Sequence, residues 1–260
     1  MKNLFNIIVM TACMVASFAF YYIVMGDADG FLDPLIKHEP KPGNILATVY
    51  TGGPLVAILL AFVLIALTFT FERYFVISKA KGKGNPETFL KNLITTLTGG
   101  DLDAAIALCD QQRGSMASVM RSAVSRFKDI ENDPEFKDSQ KITEVQRAID
   151  EAMNLETPLL EKNLVVLSTI ASIATMVGLL GTTLGMIRAF QALAESGTVS
   201  ATQLSIGISE ALYNTAGGLA GAIIAIVAFN FFTTKVDNFV YMIDEAILSI
   251  TQIFTVRVKK

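Results

Sequence analysis

The chain has 260 residues, of which 52% are apolar, and its 21 Lys and Arg against 24 Asp and Glu leave a net charge of −3. That balance excludes a basic nucleic-acid-binding surface, and a mean hydropathy of +0.50 is too high for an ordinary soluble domain. The single histidine, His38, has no Cys, Asp or Glu cluster beside it and gives no metal site, and two cysteines, Cys13 and Cys109, make no disulfide framework.

Residues 4–25 carry no charge and form the first apolar stretch, after Lys2. Its apolar core exceeds the roughly 7–15 residues of a signal peptide's apolar segment, which favours an uncleaved anchor over a cleaved signal. The segment 26–50 mixes Asp27, Asp29, Asp33 and Glu39 with Lys37 and Lys41, and its Asp33-Pro34, Glu39-Pro40 and Lys41-Pro42-Gly43 turns predict little regular structure. A second apolar stretch covers 51–71 and ends at Glu72-Arg73, which mark a membrane boundary. Pro86-Glu87 opens a helix with Phe89, Leu90, Leu93, Ile94 and Leu97 on one face, and Gly99-Gly100 stops it. Asp101 caps a second helix, and a third covers 116–127 before the Asn132-Asp133-Pro134 break. From Ser139 the pattern predicts one long helix running into the third apolar stretch, with Pro158 as the place for a kink. The third and fourth apolar stretches cover 163–187 and 211–234, both free of charge and long enough to cross a bilayer. No strand pattern and no internal repeat stand out.

Lysine and arginine set the expected orientation. Lys2, then Arg73, Lys79, Lys81 and Lys83, then Lys162 and Lys235 flank one side of the spans, while the 189–209 link holds none. The expected organisation is therefore a membrane anchor or signal over 1–26, an outer loop over 27–50 and a transmembrane helix over 51–73. A cytoplasmic helical region over 74–161, paired channel-forming helices with a short outer link over 162–235 and a cytoplasmic C-terminal helix over 236–260 complete it. The fold class is all-α integral membrane protein with three to four transmembrane helices, the last two long and extending into a cytoplasmic helical domain.

Polar residues within the last two stretches recur at helical spacing. Ser168, Ser172, Thr175 and Thr182 share one face, and Gly178, Gly181 and Gly185 lie on its neighbour. Gly207, Glu210, Asn214, Gly217 or Gly218, and Gly221 follow a similar stripe on the fourth stretch, bordered by Thr215. Two explanations stand side by side. The stripes pack helices closely, with each hydroxyl bonded back to its own helix, or the hydroxyls line a wet central cavity while the glycines face a neighbour. Glu210, at the outer edge of its span, is either a functional ionisable group or a carboxylate in headgroup water, and Arg188 either pairs with it or simply ends the third span. No carboxylate lies deep within any span, so a proton path through this chain needs a titratable group from elsewhere. No nucleophile–base set, phosphate loop or metal spacing points to an enzyme.

The runs Leu-Leu-Gly-Thr-Thr-Leu-Gly-Met-Ile (179–187) and Gly-Ile-Ser-Glu-Ala-Leu-Tyr-Asn-Thr-Ala-Gly-Gly-Leu (207–219), with Gly-Asp-Leu-Asp-Ala-Ala-Ile-Ala-Leu-Cys-Asp (100–110), resemble the MotA/TolQ/ExbB proton-channel family, most closely ExbB-type subunits. The resemblance spans roughly 51–254. It implies a homopentamer in the inner membrane of a Gram-negative cell, with the third and fourth spans as an inner ring and 27–50 and the outer link in the periplasm. It also implies an ExbD-like single-span partner, in two copies, whose membrane aspartate takes up and releases protons, and a TonB-like protein driven by the resulting motion. By position it assigns Thr182 and Thr215 to the pore, with Ser172, Thr175 and Asn214 as further lining, and Glu210 with Arg188 to the outer edge. Gly178, Gly181, Gly185, Gly218 and Gly221 are assigned to helix packing. No cofactor or metal is implied, and TolQ-like or MotA-like roles are the alternatives within the family. A self-sufficient channel and a structural scaffold are the alternatives outside it. Thr175 and Ile224 stand where the family often has proline, which predicts straighter helices, and the extra first span resembles the four-span plan of MotA-type stators.

Overall fold

A computed structural model describes residues 2–33, 39–196 and 201–259. His38 and the Asp33-Pro34 turn's proline therefore lie outside the described residues, as does the centre of the outer link. Nine α-helices are described: α1 (Lys2–Ala19), α2 (Ile45–Tyr50), α3 (Leu55–Ala80), α4 (Pro86–Thr98), α5 (Leu102–Gln112), α6 (Gly114–Ile130), α7 (Asp138–Glu161), α8 (Leu164–Ser196) and α9 (Ala201–Val258). No strand is formed among the described residues. Four helical segments are long and apolar enough to cross a membrane, Asn6–Met25, Leu55–Ala80, Asp138–Gln191 and Leu204–Val258. The chain is an all-α membrane protein.

Two compact units divide it. The first comprises Met1–Phe71 with Val165–Asn230, the second Glu72–Leu164 with Phe231–Lys260. In the first unit α1 widens into a π-helical turn over Phe20–Met25, where the Gly26 amide reaches back to the Tyr21 carbonyl at 2.9 Å. Helix α1 docks on α3 through polar handles in an apolar contact. The Ser17 hydroxyl donates to the Ala57 carbonyl at 2.5 Å, and Cys13 Sγ lies 3.7 Å from the Thr68 hydroxyl. The fully buried Ala57, Ala61 and Ala66 leave room for neighbouring helices on α3.

The segment after α1 holds more regular structure than its turn residues predict. A short 3₁₀ turn covers Ala28–Gly30, an isolated bridge pairs Phe31 with Pro40, and α2 follows under an Asn44 cap, whose Oδ1 accepts from the Ala47 amide at 3.1 Å. Aromatic stacking gathers this segment. The Tyr21 and Tyr50 rings stack at 4.5 Å, Phe31 meets Tyr50 at 5.5 Å, and the Tyr21 hydroxyl donates to the Tyr50 carbonyl at 3.0 Å.

In the second unit the helices expected from periodicity form, one with the cap expected for it, Asp101, and one with a cap not expected from the sequence, Asn85. Asn85 and Asp101 accept from the Glu87 and Ala104 amides, both at 2.9 Å, to start α4 and α5. Leu93, Leu97, Met120, Phe239 and Ile243 are buried, and the rings of Phe127 and Phe254 stack at 4.1 Å, which ties the end of α9 to α6. Arg257 reinforces that tie by pairing with Glu131 and donating to the Gly100 carbonyl at 3.0 Å. Cys109 sits on the buried face of α5 at 2% exposure, and burial pushes its thiol up to about 12. At pH 8 its thiolate fraction is then about one in ten thousand. Maleimide is expected to leave Cys109 unlabelled in the folded protein and to label it fully after unfolding, as mass spectrometry of the 100–113 region would record. Labelling of the folded chain at the rate of a free thiol would show that this face of α5 opens.

The single helix expected from Ser139 into the third span is instead two. Pro158 stays inside α7, and the break falls at Lys162-Asn163, where Asn163 takes a left-handed φ of 66°. Asparagine tolerates that conformation better than other side chains except glycine. Residues distant in sequence hold the break. The Asn163 amide donates to Glu72 Oε2 at 3.3 Å, and Arg73 Nη1 donates at 3.3 Å to the Leu160 carbonyl, one of the unsatisfied groups at the end of α7. Glu72 and Arg73 are themselves joined by two hydrogen bonds of 2.6 and 2.5 Å, with Arg73 only 2% exposed. This pair is therefore part of a helix terminus and more than a boundary marker.

Candidate functional site

Within the first unit α8 and α9 run antiparallel and approach at glycine. A Cβ built on Gly178 would lie 3.1 Å from the Gly218 Cα, and one on Gly185 would lie 2.8 Å from the Gly207 carbonyl oxygen and 2.9 Å from the Ala211 Cβ. Gly181 backs onto the Asn214 side chain. Four of the five glycines expected to pack helices therefore face the other long helix of the same chain. Gly221 differs. A Cβ there would meet Val63 and Ala174 at 3.4 and 3.6 Å, ordinary contact distances, so this position does not require glycine.

That approach brings two hydroxyls from different helices together. Thr182 on α8 and Thr215 on α9 hydrogen-bond to each other, and both lie 3.4 Å from the Gly178 carbonyl. Thr215 also reaches the Ala211 carbonyl at 3.2 Å. Either threonine can donate to the other, because whichever is not donating across the pair has a backbone carbonyl to turn to. Both are half-buried. The pair can orient a water or donate to an acceptor, and at neutral pH it cannot itself hold an extra proton or an anion.

Other expected lining residues are arranged differently. Ser172 is exposed and bonds back to the Ser168 carbonyl at 3.3 Å, while Thr175 is half-buried and bonds back to Ala171 at 3.2 Å. Each hydroxyl bonds back to its own helix, an arrangement open to both explanations of the stripe. Asn214 is turned into its own chain. It is 0% exposed, with its amide donating to the Gly52 carbonyl at 2.7 Å and the Glu210 carbonyl at 3.0 Å. A side chain so enclosed within its own chain does not line a cavity. Spacing placed it on the correct stripe but could not say which way the stripe faces.

Glu210 and Arg188 form an ion pair across the two helices, with Glu210 12% and Arg188 52% exposed. Sequence patterning had no way to find the third wall of this pair, the Gly52-Gly53 turn before α3. Gly53 has φ +79° and faces the carboxylate; a Cβ there would lie 2.5 Å from Glu210 Oε1. The one available signal was the Gly-Gly-Pro run itself.

The sequence from the end of α5 into α9, residues 111–245, matches the MotA/TolQ/ExbB proton channel family. The chain belongs to that family. It is 30% identical over 184 residues to an ExbB-like 3 biopolymer transport protein of Synechocystis, covering 70% of this chain and 81% of that protein. It is 44% identical over 87 residues to the biopolymer transport protein ExbB of Helicobacter pylori, covering 34% of this chain and 58% of the relative. The Tol-Pal system protein TolQ of Haemophilus influenzae is 40% identical over 91 residues, 35% of this chain and 40% of the relative. The chain thus spans less than two thirds of the length of these last two. Membership makes it a membrane protein of a proton-channel family, and the ExbB relatives support an ExbB-type member. The family match contains the glycine contact, the threonine pair and the Arg188–Glu210 pair.

Proposed function

We propose that this chain is an ExbB-like ring subunit of an inner-membrane motor that converts the proton motive force into movement. In this assembly five copies surround two copies of an ExbD-like single-span partner, whose membrane aspartate takes and releases the proton. The motion is passed to a TonB-like protein that energises outer-membrane transport. The observation that carries the proposal is the Thr182–Thr215 pair: two half-buried hydroxyls from both long helices, within apolar stretches (163–187 and 211–234) that contain no carboxylate. Such a pair has chemistry to offer an aspartate supplied by another chain and none to offer a proton alone. The lysine and arginine distribution supports placing 74–161 and 236–260 in the cytoplasm and the 189–209 link in the periplasm. The hydrogen bonds from α1 to α3 support retention of the first span as an anchor.

Reconstitution tests this. In proteoliposomes the chain alone is expected to leave a pH gradient intact, and co-reconstitution with an aspartate-bearing single-span partner is expected to dissipate it. Flux from the chain alone would favour a self-sufficient channel. The TolQ relative keeps a TolQ-like role as the second reading, and complementation of ExbB-deficient against TolQ-deficient cells separates the two.

A further inference from the structure

A buried asparagine amide is costly in a membrane span unless its hydrogen bonds are needed. Asn214 is fully enclosed, and its Oδ1 has no hydrogen-bond partner among the described residues. Exchanging the amide's oxygen and nitrogen would turn an acceptor onto the Gly52 and Glu210 carbonyl oxygens, so the donors must face them. The side chain is therefore kept for what its nitrogen holds. One hydrogen bond stays on α9, one turn back at Glu210. The other leaves the helix and fastens the Gly52 carbonyl, 162 residues away in sequence, at 2.7 Å. The residue after Gly52 is Gly53, the one whose backbone lies against the Glu210 carboxylate.

We propose that Asn214 is a positioning residue for Glu210: its amide clamps the Gly52-Gly53 turn onto α9, and that turn is the wall that shields the carboxylate and keeps it turned toward Arg188. Arg188 alone does not enclose the group, since it is itself half exposed. Gly53 fits the task because a left-handed φ and the absence of a Cβ let backbone approach the carboxylate. The inference deepens the proposed function by defining the setting of its outer ionisable group, and rests on that function only for what Glu210 does. The shielding is a property of the single chain.

The test is carboxylate labelling by a water-soluble carbodiimide and an amine, read residue by residue by mass spectrometry on the full chain in nanodiscs, without any partner. Asn214→Ala removes the clamp, and Asn214→Leu removes it while keeping the same number of side-chain heavy atoms against Gly181. Both are expected to raise the labelling rate of Glu210 about fivefold, the order that one lost buried hydrogen bond permits. Asp244 and Glu245, exposed on the same helix, should label as in the wild type. Gly53→Ala, which displaces the turn with the amide intact, should raise Glu210 labelling equally. Wild-type labelling in Asn214→Leu or in Gly53→Ala would overturn the proposal, the first by showing that filling space suffices. A proportional rise at Asp244 and Glu245 would overturn it too, by showing general loosening. Because no flux is measured, failure of the motor reading leaves this result intact, and the reverse holds.

Discussion

Replacing Thr182 or Thr215 by valine is expected to reduce partner-dependent proton flux about tenfold or more, with assembly unchanged. Valine keeps the β-branched shape and removes only the hydroxyl, so the glycine contact between α8 and α9 is undisturbed. The fold has little to lose. Each threonine has a backbone carbonyl to fall back on, Gly178 for Thr182 and Gly178 or Ala211 for Thr215, so removing one member orphans no buried donor. The stability cost is on the order of 1 kcal/mol, the net value of one hydrogen bond. Transport loses more, because the pair acts as a unit able to reverse its donor and acceptor. The double variant should then conduct no worse than either single one, the signature of two groups sharing one interaction. Thr182→Ser, which keeps the hydroxyl, should retain most of the flux. Co-reconstituted vesicles with a pH-sensitive dye give the flux, and native mass measurement gives the assembly. Full flux in both valine variants would move the chain toward a scaffold role.

Local signals in the sequence specified most of the helices. Pro86-Glu87, Gly99-Gly100 and Asp101 are starts and stops whose effect is confined to a few residues, and α4 and α5 begin where they predict. The failures have one physical source: interactions between residues far apart in the chain. Pro158 is the stronger local signal for a helix break, yet it costs α7 only a single backbone bond. Asn163 breaks the helix because Glu72, 91 residues earlier, holds its side chain. Periodicity likewise assigned Asn214 to the stripe of Glu210. Its direction was set by Gly52, which no window of sequence contains. Thr182 was grouped with Ser168, Ser172 and Thr175 because they share a helix face, but its working partner is Thr215 on the opposite helix. The helix-packing glycines were easier to find, since a small residue every three or four positions is unusual in a span unless another backbone lies against it.

The sharpest structural prediction separates two of those glycines. Gly218→Ala would place a Cβ 2.6 Å from the Ala174 carbonyl oxygen and 2.8 Å from the Gly178 Cα. Both obstacles are backbone, so no rotamer change relieves them and the two helices must move apart. Overpacking of this kind costs about 1–3 kcal/mol, and in lipid no hydrophobic force draws the helices back together. Gly221→Ala, three residues along the same helix, meets only side-chain atoms at 3.4 and 3.6 Å. It also replaces a glycine inside a helix, which favours the helical state by up to about 1 kcal/mol. The two substitutions are therefore expected to shift stability in opposite directions, measured as loss of helical signal on heating or on titration with a denaturing detergent. Their effect on transport should follow the same division. Gly178 supplies the carbonyl that both threonines approach, so separating α8 from α9 at Gly218 parts Thr182 from Thr215, whereas filling the space beside Gly221 leaves that pair in place. Equal damage from both substitutions would mean that α9 meets α3 as tightly as it meets α8, and that the glycine contact is not what sets the spacing of the threonines.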